Sequence, residues 1–468
     1  MDIKEQISRN KELTAIISFY LAAQLYLLTL VWDQPLTWDA SIYAAMGQYI
    51  YTLGEIGMWE IFRPILMPFI LGLFHLLGIP MHGYPHLLMV IISTLGLVAI
   101  YKFIAEDFSK DTAIYTVGIV ASSSLYIFNG GLIRTELVSA ILIVWSIYLL
   151  NNQKQYLSGF TASLAFLTRF PSALIGISNA IANTLPHLKN KELKQIFAKN
   201  TKLTLGFTLL AGIFFIASQI KYGNFLDPII RGIQVPAGNP ETQLYGLYYL
   251  KELVFSQPLL ALTPIGAIIA LKQQKLDLSP YLTALIVLYA FQEYFPHKEP
   301  RYSLIFLPLA ALYASQTIKK SIPMLTEKIG GLDADLSRKI LVVFFCTAIV
   351  YSTIQIAPTK DWSNPEENQF LQETQKLPEE TYLAGNHPNI AVYSQKKYTQ
   401  LPEGFIQSTL QNNPEINYIA INSCAWFSEE GEPREEINNF IEELENEHEN
   451  QFESSGETCT YSIYKYGE

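Results

Sequence analysis

Apolar runs of membrane-crossing length recur along the first three quarters of this chain, and no other feature limits its fold so strongly. A helix needs about 20 apolar residues to cross a bilayer core, where lipid offers a bare backbone no hydrogen-bond partner. Leu13–Val31, Pro85–Ile104, Leu132–Leu150 and Ile340–Ala357 are runs of this kind. Only 16% of the 468 residues are charged, against about a quarter in soluble domains. The chain reads as mainly α, a polytopic transmembrane helical bundle of about 11 spans over residues 1–358.

Charge divides the chain. From Asp361 onward there are 21 acidic and 5 basic residues, a net of −16, which leaves +6 for the rest of a chain whose total is −10. An apolar, mildly basic body therefore carries a small, soluble, acidic α/β domain over residues 359–468. Ile390–Tyr393, Tyr418–Ile421 and Thr460–Tyr464 read as β-rich pieces there, and Gly404–Leu410 and Glu435–His448 as helical ones. Basic residues are dispersed between apolar spans, so nothing resembles a nucleic-acid footprint. Cys424 and Cys459 both fall in the tail, either bonded or free, and no CxxC or Cys/His metal spacing occurs.

The positive-inside rule gives an orientation. Lys4, Arg9 and Lys11 precede the first span, and five lysines fill Pro186–Lys202, so both stretches are expected on the cytoplasmic side. Two threadings satisfy them. In one, Ile61–Pro80 lies in the outer interface and Leu157–Leu185 is a hairpin with Arg169 outside. In the other, both segments cross once. The placement of Lys102, Lys110, Lys154 and Arg134 favours the first, with the C-terminal domain extracytoplasmic.

In that threading the outer ends of different spans collect Asp39, Arg63, Arg134, Glu136, Arg169, Lys298, Glu299 and Arg301. An ionisable residue at membrane depth costs about 2.5–3.5 kcal/mol on insertion scales, so it is usually paired or functional. Mutual ion pairing is one reading of this group. The other is a wet cavity with surplus positive charge, suited to the phosphate of a lipid carrier. Asp39 sits among Trp32, Trp38 and Tyr43, with Tyr43 one helical turn on. It reads either as a helix cap within an aromatic belt or as a base acting on a hydroxyl.

The sequence HKEPRY at His297–Tyr302 resembles the HKExR-aromatic signature of mannosyltransferases that use dolichyl-phosphate-mannose. WDASIY around Asp39 is similar to the acid-bearing first outer loop of the wider type-C (GT-C) membrane glycosyltransferases. Arg63–Gly78 looks like their Pro-rich interfacial helix. Phe166–Ile175 resembles their FLTK-type break, with Arg169 where Lys is commoner. Gly131–Ile141 resembles a segment usually written R-x-D, with Glu136 in the acidic position. The resemblance covers about Leu13–Ala357 and leaves the tail unmatched.

The resemblance implies an inverting glycosyltransferase moving a sugar, mannose by preference, from a polyprenyl-phosphate donor to a hydroxyl of a glycan, lipid or protein acceptor on the outer or lumenal face of the membrane. Asp39 would be the catalytic base. Arg301, Lys298, Arg169 and Arg63 would bind the donor phosphate. Tyr43, Arg134, Glu136, His297, Glu299 and Tyr302 complete the candidate site, with His297 either a proton donor or a hydrogen-bonded structural residue. Asp39 is followed by Ala40 where many relatives carry an acidic pair, which weakens any inference of a metal, and no cofactor is expected. The competing readings are an anion or lipid transporter and a non-catalytic assembly subunit.

Overall fold

The computed structural model describes residues 10–237, 247–273, 279–295, 297–329, 333–360, 365–402, 404–426, 435–456 and 459–467. The chain forms two compact units. One comprises Met1–Leu30, Ile61–Pro64 and His86–Lys360. The other comprises Val31–Glu60, Ile65–Pro85 and Asp361–Glu468.

The first unit is helical. Its helices run from α1 (Lys11–Val31), which continues to the edge of the second unit, through α4 (Tyr84–Asp107), α5 (Lys110–Ser122), α6 (Ser124–Gly130), α7 (Thr135–Asn151), α8 (Gln155–Thr168) and α9 (Leu174–Lys189). They continue with α10 (Leu193–Tyr222), α11 (Asp227–Ala237), α12 (Tyr248–Ser256), α13 (Thr263–Gln273), α14 (Pro280–Tyr294), α15 (Leu307–Ile329) and α16 (Ala334–Ile356). Among the described residues, Lys11–Val31, Tyr84–Asp107, Leu193–Tyr222 and Asp335–Lys360 are long and apolar enough to cross a membrane alone. The α5–α6 pair, bent by 68°, joins them if taken as one span. Other expected spans are shorter or broken. Between α10 and Gln257 lie α11 and α12, and residues 238–246 fall outside the described residues.

The broken pair α8–α9 has a clear geometry. Gly159 and Gly206 let α8 and α10 touch: a Cβ on Gly159 would meet the Leu203 carbonyl oxygen at 1.9 Å, and one on Gly206 the Tyr156 oxygen at 2.0 Å. Further along both helices, Ser163 Oγ accepts from the Ala211 amide at 2.9 Å. From the crossing at Gly159 and Leu203 to Ser163 and Ala211 the contacts advance along both helices, so α8 and α10 run parallel. The contacts of α9 with α10 run the other way, since Gly176 faces Phe207 while Asn200 Nδ2 donates to Thr184 Oγ1 at 2.9 Å. Thus α8 and α9 form a helical hairpin with Arg169 at its turn. Buried polar groups tie it to α7: Ser146 Oγ donates to the Ser158 carbonyl at 2.9 Å, and Asn179 Nδ2 bonds both serine hydroxyls at 2.9 and 3.0 Å.

The second unit joins α2 (Trp38–Tyr51) and α3 (Leu66–Leu76) to the tail. At about 1.5 Å per residue, the 11 residues of α3 reach about 16 Å, short of a ~30 Å hydrocarbon core. The two helices cross where both are glycine. A Cβ on Gly47 would lie 2.6 Å from the Gly72 nitrogen and from the Pro68 oxygen.

The tail contributes helices α17 (Pro365–Lys376), α18 (Pro388–Ser394), α19 (Ile406–Asn412) and α20 (Glu435–Glu447). Its strands are β1 (Tyr382–Gly385), β2 (Lys397–Gln400), β3 (Tyr418–Asn422), β4 (Glu449–Ser455) and β5 (Thr460–Lys465), in the order β2-β1-β3-β5-β4. β1 is parallel to β2 and β3, whereas β5 is antiparallel to β3 and β4. Ile406, Leu410, Ile419, Phe440 and Leu444 fill the core between sheet and helices. Cys424 and Cys459 form a disulfide with Cα atoms 5.3 Å apart.

Two local expectations for the tail are corrected. Ile390–Tyr393 is not β but lies inside α18. Pro388 pre-sets the first turn and His387 caps it, which overrides the strand preference of Ile390 and Val392. The helix expected at Gly404–Leu410 begins at Ile406, because Gly404 turns the chain with φ +77.

Gly47→Ala is expected to force α2 and α3 apart and lower stability by about 1–3 kcal/mol. The change should appear as a lower melting temperature in detergent. Gly212→Ala, where a Cβ has open space, is the control expected to melt normally. The hairpin predicts that Asn152→Cys and Asn224→Cys label from opposite sides, so that one of the two and not both reacts with an impermeant maleimide on intact cells. Labelling of both from one side would contradict the helix directions.

Candidate active site

The charged cluster of the first unit grows from two interrupted helices. Pro171 has no N–H to offer the Leu167 carbonyl, so α8 stops at Thr168. Arg169 takes an extended backbone (φ −157°) before a short 3₁₀ turn at Phe170–Ala173. Ser139 and Ser172 hydroxyls bond at 2.5 Å, which holds that turn against the start of α7. Arg169 Nη1 then meets the Glu136 carboxylate at 2.7 Å. Glu136 lies in the first turn of α7 and is 2% exposed. A carboxylate there is stabilised by the positive helix end as well as by its arginine.

The second interruption is HKEPRY. Ser279 caps α14 and Pro280 opens it; the helix ends at Tyr294. Lys298 folds back onto that end, its Nζ donating to the carbonyls of Gln292, Glu293 and Phe295 at 3.3, 2.5 and 3.1 Å. A cation on the last carbonyls complements the negative end of the helix. Burial pulls the Lys298 pKa below the ordinary lysine value, opposed by Glu293.

Glu299 is the hub of the segment. It pairs with His297 Nε2 at 3.0 Å and Arg301 Nε at 2.5 Å, and accepts from the Tyr302 hydroxyl at 2.7 Å. Burial alone would raise its pKa, but hydrogen bonds from His297, Arg301 and Tyr302 and the Arg301 charge hold it well below the usual carboxylate range. Arg301 Nε also lies 3.7 Å from Glu136 Oε1, so the two arginines converge on one buried acid. The Tyr302 ring lies 4.1 Å from the Arg169 guanidinium carbon, a cation–π contact.

The structure therefore brings Glu136, Arg169, His297, Glu299, Arg301 and Tyr302 into one network. Lys298 stands at its edge as a helix cap. Arg134, the N-cap residue of α7, is half-buried and within electrostatic reach of Lys360. Arg63 is also half-buried, 5.5 Å from the Phe62 ring centroid. Part of the expected cationic surplus is thus balanced by Arg169–Glu136 and Arg301–Glu299 pairing. The side chains of Arg169 and Arg301 nevertheless keep 17% and 20% exposure, and Arg169 Nε, buried, has no hydrogen-bond partner among the described residues.

Sequence reasoning assigned no role to Tyr249 or Lys360. Tyr249 is fully buried, and its ring centroid is 5.4 Å from Lys298 Nζ. Lys360 is 3% exposed and donates to the Phe128 carbonyl at 2.6 Å. The signal for Lys360 was a lone lysine closing the last apolar run.

Asp39 and Tyr43 belong to the second unit. Asp39 is half-buried in the first turn of α2, where a carboxylate suits the helix dipole, and Tyr43 is buried one turn on. The tail holds this helix along one face. Trp38 packs edge-on against the His387 ring at 4.9 Å. The Ser41 hydroxyl bonds Asn389 Oδ1, and Gln48 Nε2 donates to the Val392 carbonyl at 3.0 Å. Burial pushes the His387 pKa down to about 4. Neutral His387 can accept from the Asn389 amide through Nδ1, at 3.2 Å, and so cap α18. Among the described residues, no three His, Cys, Asp or Glu side chains gather to hold a metal ion.

The family model of the Alg9-like mannosyltransferases matches residues 37–395. No curated protein matches the chain. Among solved structures, ArnT from Cupriavidus metallidurans, bound to undecaprenyl phosphate, is similar with a TM-score of 0.69 at 10% identity, over 96% of this chain and 97% of that one. AglB, the oligosaccharyltransferase of Archaeoglobus fulgidus, in complex with an inhibitory peptide and a dolichol-phosphate, gives 0.57 at 11% identity over 88% and 70%. The mycobacterial arabinofuranosyltransferase AftD gives 0.56 at 14% identity over 96% and 40%. The chain is an integral multi-pass membrane protein with the type-C glycosyltransferase fold, and it belongs to the Alg9-like mannosyltransferase family.

Proposed function

We propose that this membrane glycosyltransferase moves mannose, with inversion, from a polyprenyl-phosphate carrier to a hydroxyl of a glycan, lipid or protein acceptor. The observation that carries this reading is the convergence of Arg169 and Arg301 on Glu136 beside Tyr302, in a member of a mannosyltransferase family. A guanidinium has five N–H donors, so one carboxylate contact leaves others for phosphate oxygens. The lipid phosphates bound in ArnT and AglB support a donor of the same class here.

In the proposed step the acceptor hydroxyl gives its proton to the Asp39 carboxylate as its oxygen attacks the anomeric carbon. The bond from that carbon to the phosphate oxygen breaks, and its electron pair leaves with the phosphate. Arg301 and Arg169 receive the added charge, with Arg63 adding positive potential. Lys298 contributes by holding the end of α14 and the turn that presents Arg301, and its charge favours the phosphate. Glu136 and Glu299 fix the two guanidiniums, His297 and Tyr302 orient Glu299, and Arg134 adds positive charge. We place the N-terminus on the cytoplasmic side and the tail on the opposite one, a reading supported by the distribution of lysines and arginines.

Asp39→Asn is nearly isosteric and removes the proton acceptor. It is expected to lower turnover by about 10²–10⁴-fold with little change in donor affinity. Near wild-type transfer by this variant would remove Asp39 from the role of base. Arg301→Lys keeps the charge and loses the fork. Its affinity for a polyprenyl phosphate should fall about tenfold, roughly 1.4 kcal/mol, with a normal melting temperature and a larger loss than in Arg63→Ala. Unchanged lipid affinity would return HKEPRY to a purely structural part.

A further inference from the structure

The second unit contains a cavity of about 400 Å³ beside the seam of α2 and α18. This lies within the ~300–1,000 Å³ of small-molecule sites. Five carboxamides line it: Gln48 from α2, Asn368, Gln372 and Gln375 from α17, and Gln395 at the end of α18. Among its described lining residues there is no Asp, Glu, Lys or Arg. That neutrality stands out in a tail carrying a net charge of −16. His82 and Tyr393 also line the cavity, stacked with ring centroids 4.6 Å apart.

Gln48 marks the cavity as more than a gap in packing. It is 1% exposed, and its Nε2 is used by the Val392 carbonyl. Its Oε1 has no hydrogen-bond partner among the described residues, nor does the buried Nδ1 of His82. A buried polar atom left unpaired is costly, so two of them on one cavity call for a partner that the described residues do not supply. Gln395 holds a left-handed backbone with φ 53°, uncommon for a residue with a side chain.

A carboxamide both donates and accepts, and so does a hydroxyl. A wall of carboxamides therefore suits a polyhydroxylated, uncharged ligand. Its two histidines, His75 and His82, are held toward the neutral form by burial, so a phosphate or carboxylate would find no lysine or arginine here and a basic peptide no carboxylate, and either would be desolvated without a strong counter-charge. The stacked rings offer surface to the C–H face of a sugar ring. We infer that this cavity is a binding subsite for an uncharged saccharide. Its assignment to the acceptor glycan rests on the transferase reading, whereas saccharide binding itself does not.

The probe is neutral mannotriose, titrated by calorimetry into the full-length protein in detergent, with trigalacturonate as the charged comparison. Gln372 and Gln375 are exposed, so the double variant Gln372→Ala/Gln375→Ala should fold normally; Gln48→Met tests the buried end. Mannotriose is expected to bind at millimolar concentration or below and trigalacturonate not to. The double variant should weaken mannotriose binding at least about tenfold. No mannotriose binding, equal binding of the charged sugar, or binding indifferent to both variants would overturn the inference. Glutamine-dependent binding in a protein that transfers no mannose would uphold the subsite and reject the transferase reading.

Discussion

The pairing of Glu136 with Arg169 is the contact on which the charged cluster depends. A carboxylate that is 2% exposed inside a helical membrane unit has lost its hydration, and the adjacent guanidinium offsets that cost. The cation can reach it only because Pro171 ends α8 and leaves Arg169 in an extended turn. Removing one partner of such a pair typically costs about 3–5 kcal/mol, because the other charge is left buried alone. Arg301, drawn to the same acid and to Glu299, ties the HKEPRY turn into this arrangement. The same pairs that hold the segments in place keep both guanidiniums oriented in advance, which suits the phosphate-binding role proposed for them.

The tail has a structural role that its acidity does not suggest. Trp38, Ser41 and Gln48 recur at near-helical spacing along α2, and each meets a residue of the segment His387–Val392. The Gly57 amide also donates to the Lys396 carbonyl at 3.1 Å, adding a backbone link between first loop and tail. The helix bearing Asp39 is thus seated on the C-terminal domain within one compact unit. That helix is held by residues more than 340 positions further along the chain.

Much of this was legible because lipid constrains sequence strongly. Long apolar runs gave α1 and α4 to within three residues at each end, whereas α16 begins about one and a half turns before its run, at Ala334, and Pro171 within TRFP marked the break at Arg169. HKEPRY was legible as a charged turn, but Lys298 as the cap of α14 was not, since a lysine's reach to carbonyls depends on how the chain folds back. In the tail, strand propensity misplaced Ile390–Tyr393, where a proline at the helix start and a capping histidine prevail. The short strands β1 and β2 carry little periodicity over four residues and are fixed by parallel pairing with distant segments. The joining of the first loop to the tail left no local trace, because its hydrogen bonds link residues that no sequence window contains together.

The central claim is that this chain breaks the bond between mannose and a polyprenyl phosphate and makes a new one to an acceptor. Its most direct measurement follows doubly labelled polyprenyl-phosphate-mannose, with separate labels on sugar and lipid, incubated with purified protein and native membrane extract. The account predicts that the mannose label appears in an acceptor while an equal amount of labelled polyprenyl phosphate is released. Both labels staying together, or moving together between the leaflets of a vesicle with no released phosphate, would contradict it and show a protein that handles the carrier without chemistry.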